Sequence, residues 1–409
     1  MLRPARYVMR AAVPERLGSR FRWLMSSVWV SNLGDGVVLA AGPLLVASQT
    51  TDPFLVAAAT MLQQLPWLLF GLVGGVTADR FDRRRLVVAA NLGRAIVLAV
   101  LAATIVTDVV NVAVVLTAMF VLGTAETFSD TAGGTLLPML VDRDDLGIAN
   151  ARLRFGQITL NRLAGPPLGA FLFAGAMAAP FAIDATLLAL SAALVWRIGH
   201  TPPIARDEHS TARADIAAGL RFVWAHSAVR VLVITIFAFN ITFGATYGIM
   251  VLYAAERLGL DEVGYGFLVT TSAVGAVVGT IVYGRLEAWL GRSGIMRVGL
   301  IIETGTHLVL ALTTVPAVAF STMFVFGIHE AAWGTTASTI RHRVVPTEFQ
   351  GRVGAVYAVA VFGSLVVGSA LGGVLAGVWG ITAPFWFGFV GSAIILAVMW
   401  RSFGHLLDA

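Results

Sequence analysis

The 409-residue sequence predicts an all-α integral membrane protein, with twelve transmembrane helices in two pseudo-symmetric six-helix bundles. Hydrophobic residues make up 57% of the chain and charged residues only 12%, against roughly 25% charged in soluble domains. Long apolar stretches recur, each near the ~20 residues that a helix needs to cross a ~30 Å hydrocarbon core. Three segments also repeat at an offset of 204 residues. Phe120-Val121-Leu122-Gly123-Thr124-Ala125-Glu126 returns as Phe324-Val325-Phe326-Gly327-Ile328-His329-Glu330. Ala179-Pro180-Phe181 returns as Ala383-Pro384-Phe385, and Ala193 to Arg197 as Ala397 to Arg401.

The spans are read at 21–49, 54–77, 86–107, 111–134, 156–177 and 179–197 in the first half. The second half carries 229–255, 263–284, 295–314, 317–340, 353–378 and 381–400. Residues 1–20 form a basic segment, and the apolar run that follows is too long for a signal-peptide core, so it reads as an uncleaved first span. Residues 21–197 and 229–400 are the two bundles, 198–228 the linker and 401–409 a tail. In the linker, Ile216, Leu220, Val223 and Trp224 recur at helical spacing and predict an amphipathic helix at the membrane surface.

Charge placement sets the orientation. All 28 basic residues are arginine, and with a cytoplasmic N-terminus 25 of them fall inside. Arg257 lies outside, while Arg94 and Arg162 lie within spans. Both termini are therefore expected in the cytoplasm, and the use of arginine without lysine points to a GC-rich bacterial genome and hence to a bacterial inner membrane. Arginines scattered over short loops argue against nucleic acid as a partner. The chain has no cysteine, which removes disulfides and thiolate metal sites. It has no lysine, hence no Walker-type phosphate loop, and neither the HExxH nor the GxSxG motif occurs. No enzyme activity, cofactor or metal is expected. Two tandem six-helix units that keep their orientation follow the parallel-repeat plan of secondary transporters.

The loop after the second span reads Gly75-Val76-Thr77-Ala78-Asp79-Arg80-Phe81-Asp82-Arg83-Arg84-Arg85. With this motif the chain resembles the major facilitator superfamily, although Asp82 stands where the family motif has a second glycine. Asn32-Leu33-Gly34-Asp35, Leu65-Pro66-Trp67-Leu68-Leu69-Phe70 and Pro346 to Val353 resemble its macrolide-efflux and enterobactin-exporter branch. The resemblance implies a proton-coupled exporter of amphipathic small molecules, working as a monomer by alternating access. Import or facilitated flux of a small polar solute or lysophospholipid remains open beside it. Three carboxylates near the cavity favour a cationic amphipathic substrate, with protons as the second partner.

The resemblance further implies that spans 1, 4, 7 and 10 surround a central cavity. An ionisable side chain near the bilayer centre costs about 2.5–3.5 kcal/mol on insertion scales, so each needs a reason. Asp35 sits midway along span 1, Glu126 and Glu330 at matching places in spans 4 and 10, and Asn32 and Asn240 in spans 1 and 7. Asp35 is read either as a proton acceptor or as a carboxylate satisfied by neighbours that hold span 1 in place. Gly75, Asp79, Arg80, Arg83 and Asp130 are implied to form a cytoplasmic gate, with Asp79 capping a helix of the other half and Arg83 pairing with Asp130. Arg83 to Arg85 enforcing topology is the alternative. His329 is expected to bond a neighbouring helix, Glu303 and His307 to satisfy each other, and Arg94 and Asp184 to be structural. Gly71 and Gly75, Gly165 with Pro166 and Gly169, Gly275 and Gly279, and Gly368 and Gly372 place small residues one turn apart. In the family plan they line the packing surface between the two halves.

Overall fold

A computed structural model describes residues 15–199 and 212–400. The basic segment 1–14, the polar linker stretch 200–211 and the tail 401–409 lie outside the described residues. Every regular element among the described residues is helical. The first half contains α1 (Gly18–Gln49), α2 (Pro53–Arg80), α3 (Arg83–Val106) and α4 (Val112–Leu140). It continues with α5 (Leu146–Gly156), a π-helical segment (Gln157–Ala164), α6 (Gly165–Gly175) and α7 (Ala179–Trp196). After the linker helix α8 (Ala212–Ala225) come α9 (Ser227–Tyr247), α10 (Glu262–Leu312), α11 (Pro316–Val344), α12 (Gln350–Trp379) and α13 (Ala383–Met399). Eight of these helices are long and apolar enough to cross a membrane.

Side-chain caps start several helices. Asp82 accepts from the backbone N–H of Arg84 at 3.0 Å and of Arg85 at 3.3 Å. The departure from the family motif is thus an N-cap for α3, placed after the bend at Phe81. Asn111 caps α4 and Asp261 caps α10 in the same manner. The sequence suggests a loop between spans at 285–294, but the chain stays helical on both sides of one residue, Gly291, whose φ of 64° only glycine adopts without strain. A Glu287–Arg292 ion pair of 3.3 Å straddles that break.

The contacts divide the described chain into two units. One holds α1 up to Gly42 and the chain from Leu69 to the linker; the other holds Pro43–Leu68 and the chain after the linker. In the first unit α3 packs between α4 and α7; in the second α9 packs on α12 and α13, and α10 on α11 and α13. The repeat-related Trp196 and Trp400 each hold an arginine, although the two arginines do not occupy matching positions. Arg84 donates to the Trp196 carbonyl at 3.2 Å and lies over its ring, while Arg297 does the same to Trp400 at 3.2 Å. Each tryptophan ends the last helix of its half. The linker helix α8 docks Phe222 and Val223 against Val353 and Val356 of α12, leaving Leu220 and Trp224 exposed. The Ile216 side chain lies outside the described residues.

Candidate functional site

The first unit gathers a cluster of charges around a buried arginine, from the enclosed Asp184 to the exposed Asp130. Arg94 on α3 is only 5% exposed. Its Nη2 pairs with Asp35 Oδ1 on α1 and lies 3.7 Å from Glu126 Oε2 on α4. Asp184 on α7 and Asp130 on α4 complete its electrostatic environment. One guanidinium thus faces four carboxylates drawn from three other helices. Glu126 and Asp130 are four residues apart and share one face of α4.

Close backbone approach makes the cluster possible. Gly34 precedes Asp35, and a β-carbon there would collide with the Asp184 carboxyl, so Asp184 packs directly on the α1 backbone. Asp184 is 1% exposed and its Oδ1 has no hydrogen-bond partner. On the other side of Asp35, a β-carbon at Gly36 would strike the Asn161 carbonyl, which belongs to the π segment. Such π-bulges shift the register of a helix and occur often at functional sites. Three residues before Arg94 on α3, Asn91 anchors a second, uncharged layer on the same four helices. Ser27 Oγ meets Ser191 Oγ at 2.8 Å, Asn91 donates to Ser191 at 3.1 Å, and Ser129 donates to Asn91 at 3.0 Å. All four are buried. This layer ties α1, α3, α4 and α7 together beside the charges, so the carboxylates are held by a hydrogen-bonded frame.

Asp35, Glu126 and Asp130 therefore meet, around two residues that sequence reasoning took as structural. Both were visible as charges within apolar spans; the missing signal was the direction in which α3 and α7 turn them. Asn32 turns its amide back onto its own helix, donating to the Val28 carbonyl at 2.8 Å. Arg83 is buried and donates to Met139 Sδ at 3.4 Å. Gly75 and the side chains of Asp79 and Arg80 lie outside the described residues.

In the second unit, Asn240 and Glu330 line a cavity of about 260 Å³ together with Glu303, His329 and Trp333. His329 bonds the neighbouring helix, its Nε2 lying 3.0 Å from Glu303 Oε2. The expected Glu303–His307 carboxylate pairing does not form: His307 Nδ1 lies 2.9 Å from the Glu303 backbone carbonyl instead. An i,i+4 spacing permits either contact, and the carboxylate turns toward the imidazole on α11.

The paired glycines have neighbours other than the ones the resemblance implies. β-carbons at Gly165 and Gly169 would collide with Gly36 and Val37 of α1, and those at Gly368 and Gly372 with Ile241 and Ala245 of α9. Gly275 and Gly279 face Phe324 and Ile328 of α11. Each contact lies within one unit, so these residues let helices of the same bundle touch. Pro166 is buried in the first turn of α6, directly after the π segment. The Gly71 β-carbon position is open.

A repeated helical bundle with ionisable groups held inside apolar helices defines the class: a multi-pass membrane protein of the transporter type. The chain belongs to the major facilitator superfamily, in the family described as transmembrane secretion effector, which matches residues 14–404. It is 25% identical to the multidrug efflux pump Tap of Mycolicibacterium fortuitum over 383 residues, covering 88% of this chain and 90% of that protein. It is 26% identical to the MFS-type transporter YfiS of Bacillus subtilis (strain 168), covering 88% of each. Among solved structures it resembles the nucleoside transporter NupG, with a TM-score of 0.75 at 12% identity over 94% of this chain and 100% of that one. Family membership implies a small-molecule substrate.

Proposed function

We propose that this protein is a proton-coupled exporter of amphipathic small molecules in a bacterial inner membrane, with twelve spans and both termini cytoplasmic. The observation that carries the reading is the Arg94 cluster. One buried cation is shared by the enclosed carboxylates of Asp35 and Asp184 and by Glu126 and Asp130 at the more open edge of the cluster, which leaves an excess of negative charge that a proton or a cationic solute can balance. Asp35 touches Arg94 directly. A proton or cationic cargo arriving at the cluster competes with Arg94 for that carboxylate, which supplies a coupling step. The likeness to an efflux pump over most of the chain supports outward transport.

Twelve spans follow if Gly291 divides α10 in two and the α5–π–α6 rod, α11 and α13 each cross once, beside the eight long apolar helices. The 17 residues of α13 reach about 26 Å at 1.5 Å per residue.

The test is dye efflux from a pump-deficient bacterial strain. Wild-type protein should lower dye accumulation, and an uncoupler should abolish the effect. Asp35→Asn should remove uphill export while leaving the membrane level of the protein unchanged. Uphill export by the Asn variant in sealed vesicles would sink the proton role. For the motif that closes α2, Asp79→Asn should slow turnover several-fold with normal insertion; lost insertion would instead favour a topological role for the motif's charges.

A further inference from the structure

We propose that the cavity of the second unit is a binding site for a primary organic ammonium carrying an aromatic or alkyl body. Glu303 is 5% exposed, and its Oε2 is engaged by His329 while its Oε1 is buried with no partner. A lone acceptor of that kind in the interior carries its full desolvation penalty until a donor reaches it. His329 orients the carboxylate and leaves its second oxygen for an incoming N–H. Glu330, the next residue on α11, lines the same space and adds negative charge, which excludes anions. Trp333 is 7% exposed and its Nε1–H is likewise unpartnered, so an acceptor on the ligand body would complete the set.

The walls select for an apolar body. Phe326 stacks on Phe243 with ring centroids 5.5 Å apart, and Trp333 adds a third aromatic wall. Aromatic faces next to a carboxylate attract organic cations. A volume of about 260 Å³ equals roughly nine waters at ≈30 Å³ each, enough for a phenylalkylamine. The internal repeat shows which side chains open this space. At the 204-residue offset Gly334 stands where Asp130 stands, and at the 208-residue offset of Asn32 and Asn240, Phe243 stands where Asp35 stands. The same framework thus keeps a glutamate at Glu126 and Glu330 in both halves, but replaces two aspartates of the first half by a glycine and an aromatic ring in the second. The ligand is identified as cargo only through the exporter reading; the site itself stands on its geometry.

The experiment is calorimetric titration of the full-length protein in lipid nanodiscs with 2-phenylethylamine, which is protonated at pH 7. Saturable binding at about one equivalent is expected, and Glu303→Gln should weaken it at least tenfold. Gly334→Leu should abolish it. The β-carbon position at Gly334 meets no atom within 4 Å, so that side chain fills the chamber without displacing backbone. The exposed Glu262→Gln should bind as wild type. Heat no greater than with empty discs, or undiminished affinity in Gly334→Leu, overturns the site. Intact efflux with undiminished affinity in Gly334→Leu overturns the site alone. Intact binding without efflux in cells overturns the exporter reading and leaves the site standing.

Discussion

Arg94→Gln is expected to destabilise the purified protein by about 3–5 kcal/mol, the usual range when one partner of a buried ion pair is removed. Arg94 is 5% exposed and pairs with Asp35, with Glu126 Oε2 at 3.7 Å. Without it, Asp35 and the buried Asp184 lose the cation beside them inside an apolar bundle, and Glu126 and Asp130 lose it at the more exposed edge. The carboxylates would have to bind protons, admit water or push α1, α4 and α7 apart. The double variant Asp35→Asn/Arg94→Gln should recover much of the loss, because it removes the carboxylate closest to the guanidinium. A double-mutant cycle on thermal unfolding in detergent should return a coupling of about 1–3 kcal/mol, as for residues in direct contact. Strict additivity would mean that the pair does not act as a unit. The stability effect also separates two roles that transport data alone confound. Asp35→Asn keeps Arg94 facing three carboxylates, so it should fold and fail only in coupling.

The cluster was half legible in the sequence. Charges inside apolar runs are conspicuous because each needs a compensating partner, and that reasoning reaches Asp35 and Glu126, while Asp130 enters only through the resemblance, as a gate partner of Arg83. Arg94 and Asp184 carry the same signal but lie on helices that family resemblance sets at the periphery, so they were given structural roles. Which way a helix turns depends on packing, and nothing about Gly34 announces that it leaves space for the Asp184 carboxyl. The repeat is legible because three segments keep one offset, and its two terminal tryptophans, Trp196 and Trp400, each lie under an arginine, Arg84 and Arg297. Glu303 shows the opposite limit. Its sequence neighbour His307 was the natural partner, while its actual partner His329 lies on the next helix. Sequence spacing ranks contacts within one helix and is silent about contacts between helices.

Gly169→Ala and Gly372→Ala are expected to lower the yield of folded protein sharply, against the direction that helix propensity predicts. In a helix interior, alanine is favoured over glycine by about 1 kcal/mol. Any loss must therefore come from what the added methyl meets. At Gly169 it meets the Val37 carbonyl, and at Gly372 the Ala245 carbonyl, both inside van der Waals contact. Backbone atoms cannot rotate away, so α6 must separate from α1, and α12 from α9. Overpacking of this kind costs about 1–3 kcal/mol, and the separation also removes close Cα–H contacts to those carbonyls. Gly133→Ala and Gly305→Ala serve as controls, since their β-carbon positions are open, and should be neutral or stabilising. If the paired glycines instead formed smooth surfaces between the two halves, Gly169→Ala and Gly372→Ala would fold normally, elute as wild type and lose turnover alone. The two residues sit 203 positions apart and meet corresponding helices of their own units. The same substitution should therefore break both halves in the same way.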